Sequence, residues 1–143
     1  MQAKIGVMDT ADDLRDSLVQ VSFAVTALLS RVAAEQDLSL TQLRVLGILR
    51  DREPTMAELA TYLGLERSTV SGLIDRAAQR GLVRKTTHPD DARSVRVSLT
   101  TEAQSLATLV IAGIGELMAP LTDRLNSSEQ KRLTVLLSNL LGR

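Results

Sequence analysis

The chain has 143 residues, enough for one domain-sized unit, and its 17 Lys or Arg balance 17 Asp or Glu, giving zero net charge. It contains no cysteine and only one histidine, His88, which excludes disulfides, thiol-based oxidant sensing and histidine-rich metal sites. We therefore expect neither a cofactor nor a metal. The sequence shows no uninterrupted apolar run of about 20 residues and no signal-peptide pattern, so we expect a cytoplasmic protein without a membrane partner.

Two helices are predicted before residue 51. Leu14, Leu18 and Val21 begin a series of apolar residues at three- and four-residue steps, which predicts a helix of roughly six turns over 12–34. A second helix is expected over Thr41 to Arg50, with Thr41 as its cap. Aromatic residues make up only 1% of the chain against 44% hydrophobic residues, so the core must consist of aliphatic side chains, which suits packed helices.

Two short helices separated by a tight turn are predicted next. Thr55 is the expected N-cap of the first, with Glu58 as its capping-box partner. Gly64 ends this helix and Gly81 ends the second, because glycine adopts the left-handed conformation that such a stop requires. The buried faces are marked by apolar residues at helical spacing: Met56, Leu59, Ala60 and Leu63 in the first helix, and Val70, Leu73, Ile74 and Ala77 in the second.

The second of these helices has short polar side chains on its early turns, opposite the apolar face. Small side chains allow the backbone to approach base edges and phosphates, so this helix suits insertion into the major groove of DNA. Exposed hydroxyl residues are also common on ordinary solvated surface. The residues that we predict to contact DNA from this helix are Arg67, Ser68, Thr69, Ser71, Gly72 and Arg76.

An antiparallel hairpin is predicted after Gly81. A strand over 82–86 and the alternating strand Val95–Leu99 flank a turn at His88–Asp91. Arg93 lies near the tip, and an arginine on a projecting hairpin can enter a narrow minor groove. The basic residues could also be ordinary edge-strand charges, and Asp91 could form a local ion pair with Arg93 that shapes the turn. The predicted contacts from this hairpin are Arg84, Lys85, Asp91, Arg93 and Arg96.

The charge is unevenly distributed along the chain. Residues 41–100 hold ten Lys or Arg against seven Asp or Glu, a balance of +3, whereas residues 1–40 hold three against six, a balance of −3. A basic module on an acidic support can face phosphates although the whole chain is neutral. Because the excess is small, we expect two modules to act together on double-stranded DNA.

The C-terminal region predicts two further helices, from Thr101 to about Met118 and from Ser127 to about Leu141. Pro120 is expected to end or kink the first of them. The second has a leucine stripe that must be buried, and a second copy of the chain would bury it. The alternative is a monomer whose terminal helices pack on the module itself. We assign dimerisation to Leu14, Leu18, Val21, Leu133, Leu136, Leu137 and Leu140.

The run STVSGLIDRAAQRGLVRK followed by HPDDARSVRVSLT resembles the recognition helix and wing of the MarR family of bacterial transcription regulators. The resemblance extends from about Asp12 to the end of the chain, and its most specific element is the Asp91-x-Arg93 pattern. It implies that the helix enters the major groove and that Arg93 enters the minor groove. Two residues depart from the family pattern: Gly72 stands where a long polar side chain is common, and Ala103 replaces a common glycine.

The resemblance also implies a small, often aromatic or phenolic effector between the dimerisation helices and the winged module. By position, the pocket would draw on Phe23, Leu28, Leu43, Leu46, Leu106 and Val110. Each of these residues, taken singly, is more simply read as plain core, because periodicity does not distinguish a pocket wall from a core.

The sequence therefore predicts a mainly α fold with a small β-hairpin wing (α+β), a winged helix-turn-helix with N- and C-terminal dimerisation helices. Residues 1–40 form the N-terminal segment and dimerisation helix, 41–100 the DNA-binding module, and 101–143 the C-terminal dimerisation helices, all in one compact fold. The predicted function is a homodimeric repressor released from a pseudo-palindromic site by a ligand. A winged-helix adaptor that binds protein instead of DNA is the alternative, and no catalytic motif supports an enzyme.

Overall fold

The computed structural model describes residues 9–143, and for His88 and for 91–93 it describes the backbone but not the side chains. The elements follow each other in the predicted order, with four helices, a hairpin and two further helices. Their bounds are α1 Thr10–Glu35, α2 Leu40–Leu49, α3 Met56–Leu63, α4 Arg67–Gln79, β1 Val83–His88, β2 Asp91–Leu99, α5 Thr101–Thr122 and α6 Ser127–Leu140.

The core lies where α2, α3, α4 and the hairpin meet the C-terminal end of α1 and the first half of α5. Its fully buried side chains include Val45, Leu59, Val70, Ile74 and Val97, all aliphatic as the composition predicts. The side of the hairpin that carries Val97 thus packs against the helices. The core fixes the position of α4, whose opposite side remains open to solvent.

The hairpin is antiparallel, with Val83 paired to Leu99 and Thr87 to Val95, and its register shifts between Thr87 and His88. Both strands extend further toward the tip than the sequence predicts. A short third segment lies beside the middle of β2, because Thr55 forms an isolated bridge with Arg96. The hairpin is thereby attached to the connection that precedes α3.

The long helices α1 and α5 pack against each other, and Gly113 lies at this contact, where a Cβ would be in ordinary van der Waals contact with Cγ1 of Val32 at 3.7 Å. Only one end of each helix belongs to the core. In α1 the buried residues are Val32 and Ala33, and in α5 they are Ala103, Ala107 and Val110. Within the described chain, α6 has no buried residue at all.

Two predicted boundaries are wrong. Ser39, rather than Thr41, caps α2, because its hydroxyl accepts a hydrogen bond from the backbone N–H of Gln42 at 3.0 Å. Helix α5 continues past Pro120 to Thr122. A proline removes only its own N–H donor, and just two helical residues follow Pro120, so the helix completes its last turn before it ends.

Helices α1 and α5 are also more apolar than the absence of an uninterrupted apolar run suggested. Each contains an 18-residue window with a mean hydropathy of 1.5, long and apolar enough to cross a membrane by length and composition only. Just 11% of the α1 window and 6% of the α5 window is buried within the chain. Much of the apolar surface of α1 and α5 is therefore exposed to solvent in the single chain.

Candidate nucleic-acid interface

The turn between α3 and α4 has the geometry that its glycine predicts. Gly64 adopts a φ of 66°, and the N–H of Leu65 donates to the carbonyl of Ala60 at 3.1 Å. At the start of α3 the hydroxyl of Thr55 accepts from the N–H of Glu58 as predicted. The Glu58 carboxylate accepts from that hydroxyl, not from the backbone N–H of a full capping box. Helix α4 then begins three residues after Gly64.

Helix α4 is divided into a buried and a solvent-exposed side. The predicted apolar residues are buried, and Val70, Ile74 and Ala77 are entirely inaccessible to solvent. The predicted contact residues lie on the other side of the helix. Arg67, Ser68, Thr69, Ser71 and Arg76 are exposed, and Gly72 is partly exposed.

The N-terminal end of α4 is open. Its N-cap is Glu66, which makes no side-chain capping hydrogen bond in the described structure. A helix N-terminus carries a partial positive charge and unpaired N–H donors, so it attracts phosphate oxygens. The hydroxyls of Ser68 and Thr69 add donors beside it.

Gly72 lies next to the side chain of Arg76. A Cβ at Gly72 would lie 3.4 Å from Nη1 of Arg76, so the guanidinium extends back over the glycine. The glycine removes a side chain that could contact DNA, as the sequence indicates.

Two of the predicted wing contacts have partners within the chain. Lys85 in β1 forms an ion pair with Asp75 in α4. Arg96 in β2 donates from Nη1 to the carbonyl of Glu53 at 2.9 Å. Both cations therefore connect the hairpin to the helices, a role that the sequence did not reveal. No local sequence pattern identifies Asp75 or Glu53 as the partners of these two cations.

The remaining wing residues differ in how far the structure describes them. Arg84 is exposed on β1. The side chains of Asp91 and Arg93 lie outside the described part, as does that of His88, so the Asp91–Arg93 pairing and the insertion of Arg93 stay predictions. The backbone places Arg93 in β2, close to the turn at Pro89 and Asp90.

A second candidate site is a cleft of about 590 Å³ between α1, α2 and α5. Three of the predicted pocket residues line it: Leu43, Leu46 and Val110. The other three do not: Leu28 and Leu106 are only partly exposed elsewhere, and Phe23 is 72% exposed. The sequence missed several lining residues, which are Leu29, Leu40, Gly47, Ile111 and Ile114 on the walls and Arg50, Arg52 and Arg143 among the charged ones.

One arginine that lines this cleft, Arg44, is hydrogen-bonded to backbone carbonyls of α3. Arg44 donates from Nη2 to the carbonyl of Tyr62 at 2.9 Å and from Nη1 to that of Leu63 at 3.4 Å. It therefore connects α2 to the end of α3. Arg52 lies 5.1 Å from the ring centroid of Tyr62, a cation–π distance.

Two helices joined by a tight turn, with the second exposed along its polar side and followed by an antiparallel hairpin, define the winged helix-turn-helix class. A sequence profile of the MarR family matches residues 36–94. The winged module is therefore similar to that of the MarR family, and this match, together with the relatives that follow, supports a DNA-binding transcription regulator.

Individual proteins are similar over most of the chain. The HTH-type transcriptional repressor NicR of Pseudomonas putida is 28% identical over 117 residues, which cover 81% of this chain and 74% of NicR. The repressor YetL of Bacillus subtilis is 24% identical over 130 residues, 89% of this chain and 78% of YetL. A crystal structure of mutant MarR from E. coli complexed with operator DNA matches with a TM-score of 0.74 and 25% identity, covering 94% of this chain and 99% of that one.

Proposed function

We propose that the chain is a homodimeric repressor that occupies a pseudo-palindromic site in double-stranded DNA and leaves it when a small effector binds. The observation that carries this proposal is the exposed polar side of α4, which begins at a helix N-terminus without a side-chain cap and lies beside the hairpin. Such a surface fits a major groove and its phosphates. That NicR and YetL are named repressors supports repression over activation.

The apolar surface of the terminal helices supports the dimer. All seven residues assigned to dimerisation are exposed in the single chain, between 38% for Leu18 and 56% for Leu140. An apolar surface of this extent on a soluble protein is commonly an interface. Two-fold pairing through α1, α5 and α6 would cover it and could place two α4 helices about 34 Å apart, one turn of DNA.

The cleft between α1, α2 and α5 supports the effector. Its walls are aliphatic, and Arg50, Arg52 and Arg143 stand among its charged residues, with Asp51 beside them. A small aromatic or phenolic molecule would bury its ring against Leu43, Leu46 and Val110 and direct its polar group toward the arginines. Because the cleft joins helices of the proposed dimer to α2 of the winged module, an occupant would change the distance between the two recognition helices.

The test is to select bound fragments from the genome of the source organism and to measure their affinity at several salt concentrations. A regulator of this kind selects fragments with two related half-sites, and its affinity falls steeply with salt. Sedimentation at micromolar concentration should give the mass of a dimer. If no fragment is enriched and binding to any DNA is weak at low salt, the chain acts as a protein-binding adaptor and the proposal is wrong.

A further inference from the structure

The end of the recognition helix α4 is bonded to the end of the dimerisation helix α1. Arg80, the C-cap residue of α4, donates from Nη1 to the carbonyl of Asp37 at 2.6 Å and from Nη2 to that of Gln36 at 3.2 Å. These carbonyls follow directly after α1, 43 and 44 residues before Arg80. Hydrogen bonds from a guanidinium are charge-assisted, and two of them fix the orientation of the group.

The turn after α1 is shaped to present these carbonyls. Asp37 has a φ of 53°, in the left-handed region that is unfavourable for a residue with a Cβ. The N–H of Leu38 donates to the carbonyl of Ala33 at 2.9 Å, and that of Asp37 to Ala34 at 3.1 Å. These bonds close the helix end in a Schellman motif, so the turn that Arg80 binds is itself firmly held to α1.

A second contact holds α4 near its middle. Gln42, in the first turn of α2, is 8% exposed, and its Nε2 donates to the backbone carbonyl of Leu73 at 3.3 Å in the core. Its Oε1 has no hydrogen-bond partner among the described residues. A buried amide with one unmet oxygen is costly, and its single bond is the one to α4.

We propose that Arg80 and Gln42 form a clamp that fixes the direction of α4 relative to α1, and that this clamp sets the half-site spacing which the dimer accepts. Two contacts, one in the middle of α4 and one at its end, define the direction of the helix axis. Both contacts join α4 to the corner between α1 and α2. Since α1 belongs to the proposed dimer interface, the direction of each recognition helix is set relative to its symmetry mate. This inference rests on the proposed function, and Arg80 acts in it as a positioning residue that does not touch DNA.

The test is a series of DNA duplexes with two identical half-sites whose spacing is changed by one and two base pairs in each direction. One base pair rotates a half-site by about 35° around the DNA axis, so a rigid dimer must distinguish these duplexes. We expect the parent to prefer one spacing by about tenfold, and Arg80→Lys, Arg80→Gln and Gln42→Leu to reduce this preference to about threefold or less, because the pre-organisation of the pair is lost. Binding to a duplex with a single half-site should stay within about twofold of the parent.

Arg124→Gln is the matched control for Arg80→Gln. Arg124 is exposed between α5 and α6 and makes no hydrogen bond or ion pair with the described residues, so the control removes the same charge elsewhere. It should retain the parent's spacing profile. Arg80→Lys keeps the charge and gives the same readout if Arg80→Gln does not fold.

The possible failures are distinguishable. A parent that binds no spacing better than random DNA overturns the proposed function. A parent with a sharp spacing preference that both Arg80 variants share overturns the clamp alone. An equal loss of affinity at every spacing and on the single half-site also overturns it, since Arg80 would then contact DNA or merely stabilise the module.

Discussion

The ammonium group of Lys85 in β1 is paired with the carboxylate of Asp75 in α4, so the wing is connected to the recognition helix by opposite charges. The side chains are 40% and 53% exposed. The pair therefore lies at the surface, where solvent screens it and its contribution to stability is small. We expect its larger effect to be on DNA binding, because a phosphate would have to compete with Asp75 for Lys85.

Replacing Asp75 by asparagine should release Lys85 for phosphate. We expect Asp75→Asn to bind DNA several-fold more tightly at low salt, with the slope of log affinity against log salt steeper by about 0.9. The free energy of unfolding should change by less than about 1 kcal/mol. Fluorescence anisotropy over a range of salt concentrations measures the first effect. Glu116→Gln removes the same charge from an exposed position on α5 and should leave the slope unchanged; an unchanged slope in Asp75→Asn would show that Lys85 does not meet phosphate.

Arg76 and Arg96 should separate DNA contact from wing support. Arg76 is exposed on α4, so Arg76→Ala should weaken DNA binding by about 1–3 kcal/mol without loss of stability. Arg96 donates to the carbonyl of Glu53, so Arg96→Ala should lower the free energy of unfolding by about 1 kcal/mol, with a smaller effect on the salt slope. Anisotropy and urea unfolding of both variants measure the two quantities. Equal effects of both changes on affinity and stability would contradict this division.

Arg93 should read the minor groove. Arg93→Ala is expected to weaken binding most on duplexes with A·T-rich sequence under the wing, where the groove is narrow and its potential most negative. Arg84→Ala removes the same charge from the base of the hairpin and should weaken binding to all duplexes alike. Anisotropy on matched A·T-rich and G·C-rich flanks compares the two. The same affinity as the parent on both flanks at every salt concentration would rule out the wing contact of Arg93.

The leucine stripe of α6 should hold the dimer together. Leu137 is 41% exposed in the single chain, and Leu137→Glu would place a charge in an apolar interface, so we expect a monomeric mass in sedimentation at micromolar concentration. DNA affinity should fall with dimerisation. Ser128→Glu adds one negative charge on the opposite side of the same helix and should leave the dimer intact. A dimeric Leu137→Glu would mean that another surface pairs the chains.

Local patterns predicted most of the fold. Gly64 and Gly81 have φ values of 66° and 73°, so the ends of α3 and α4 could be predicted from residue type alone. The alternation of Val95, Val97 and Leu99 likewise predicted a half-buried strand. The start of α2 was wrong because Ser39 and Thr41 are both good caps, and the structure uses Ser39.

The sequence predicted only part of the proposed functional surface. The exposed side of α4 follows from helical periodicity, since Val70 and Ile74 must face inward. The pairs Lys85–Asp75 and Arg80–Asp37 join residues 10 and 43 positions apart, and their meeting depends on how helices and hairpin pack. For the same reason only three of the six residues predicted for the pocket line the cleft, and Phe23 lies on the expected helix but outside it.

Helix α6 has a consequence for how the chain responds to its own abundance. In the described chain it has 14 residues, a capping box at Asn126 and Glu129, and no buried side chain. Isolated helices shorter than about 12–15 residues are marginal in water, and α6 is close to this limit, so it depends on whatever covers its stripe. If a second copy covers the stripe, dimerisation stabilises the folded chain as a bound ligand would. The melting temperature then rises with protein concentration. A cell that makes little of this regulator would then have not only fewer dimers but also a less completely folded chain.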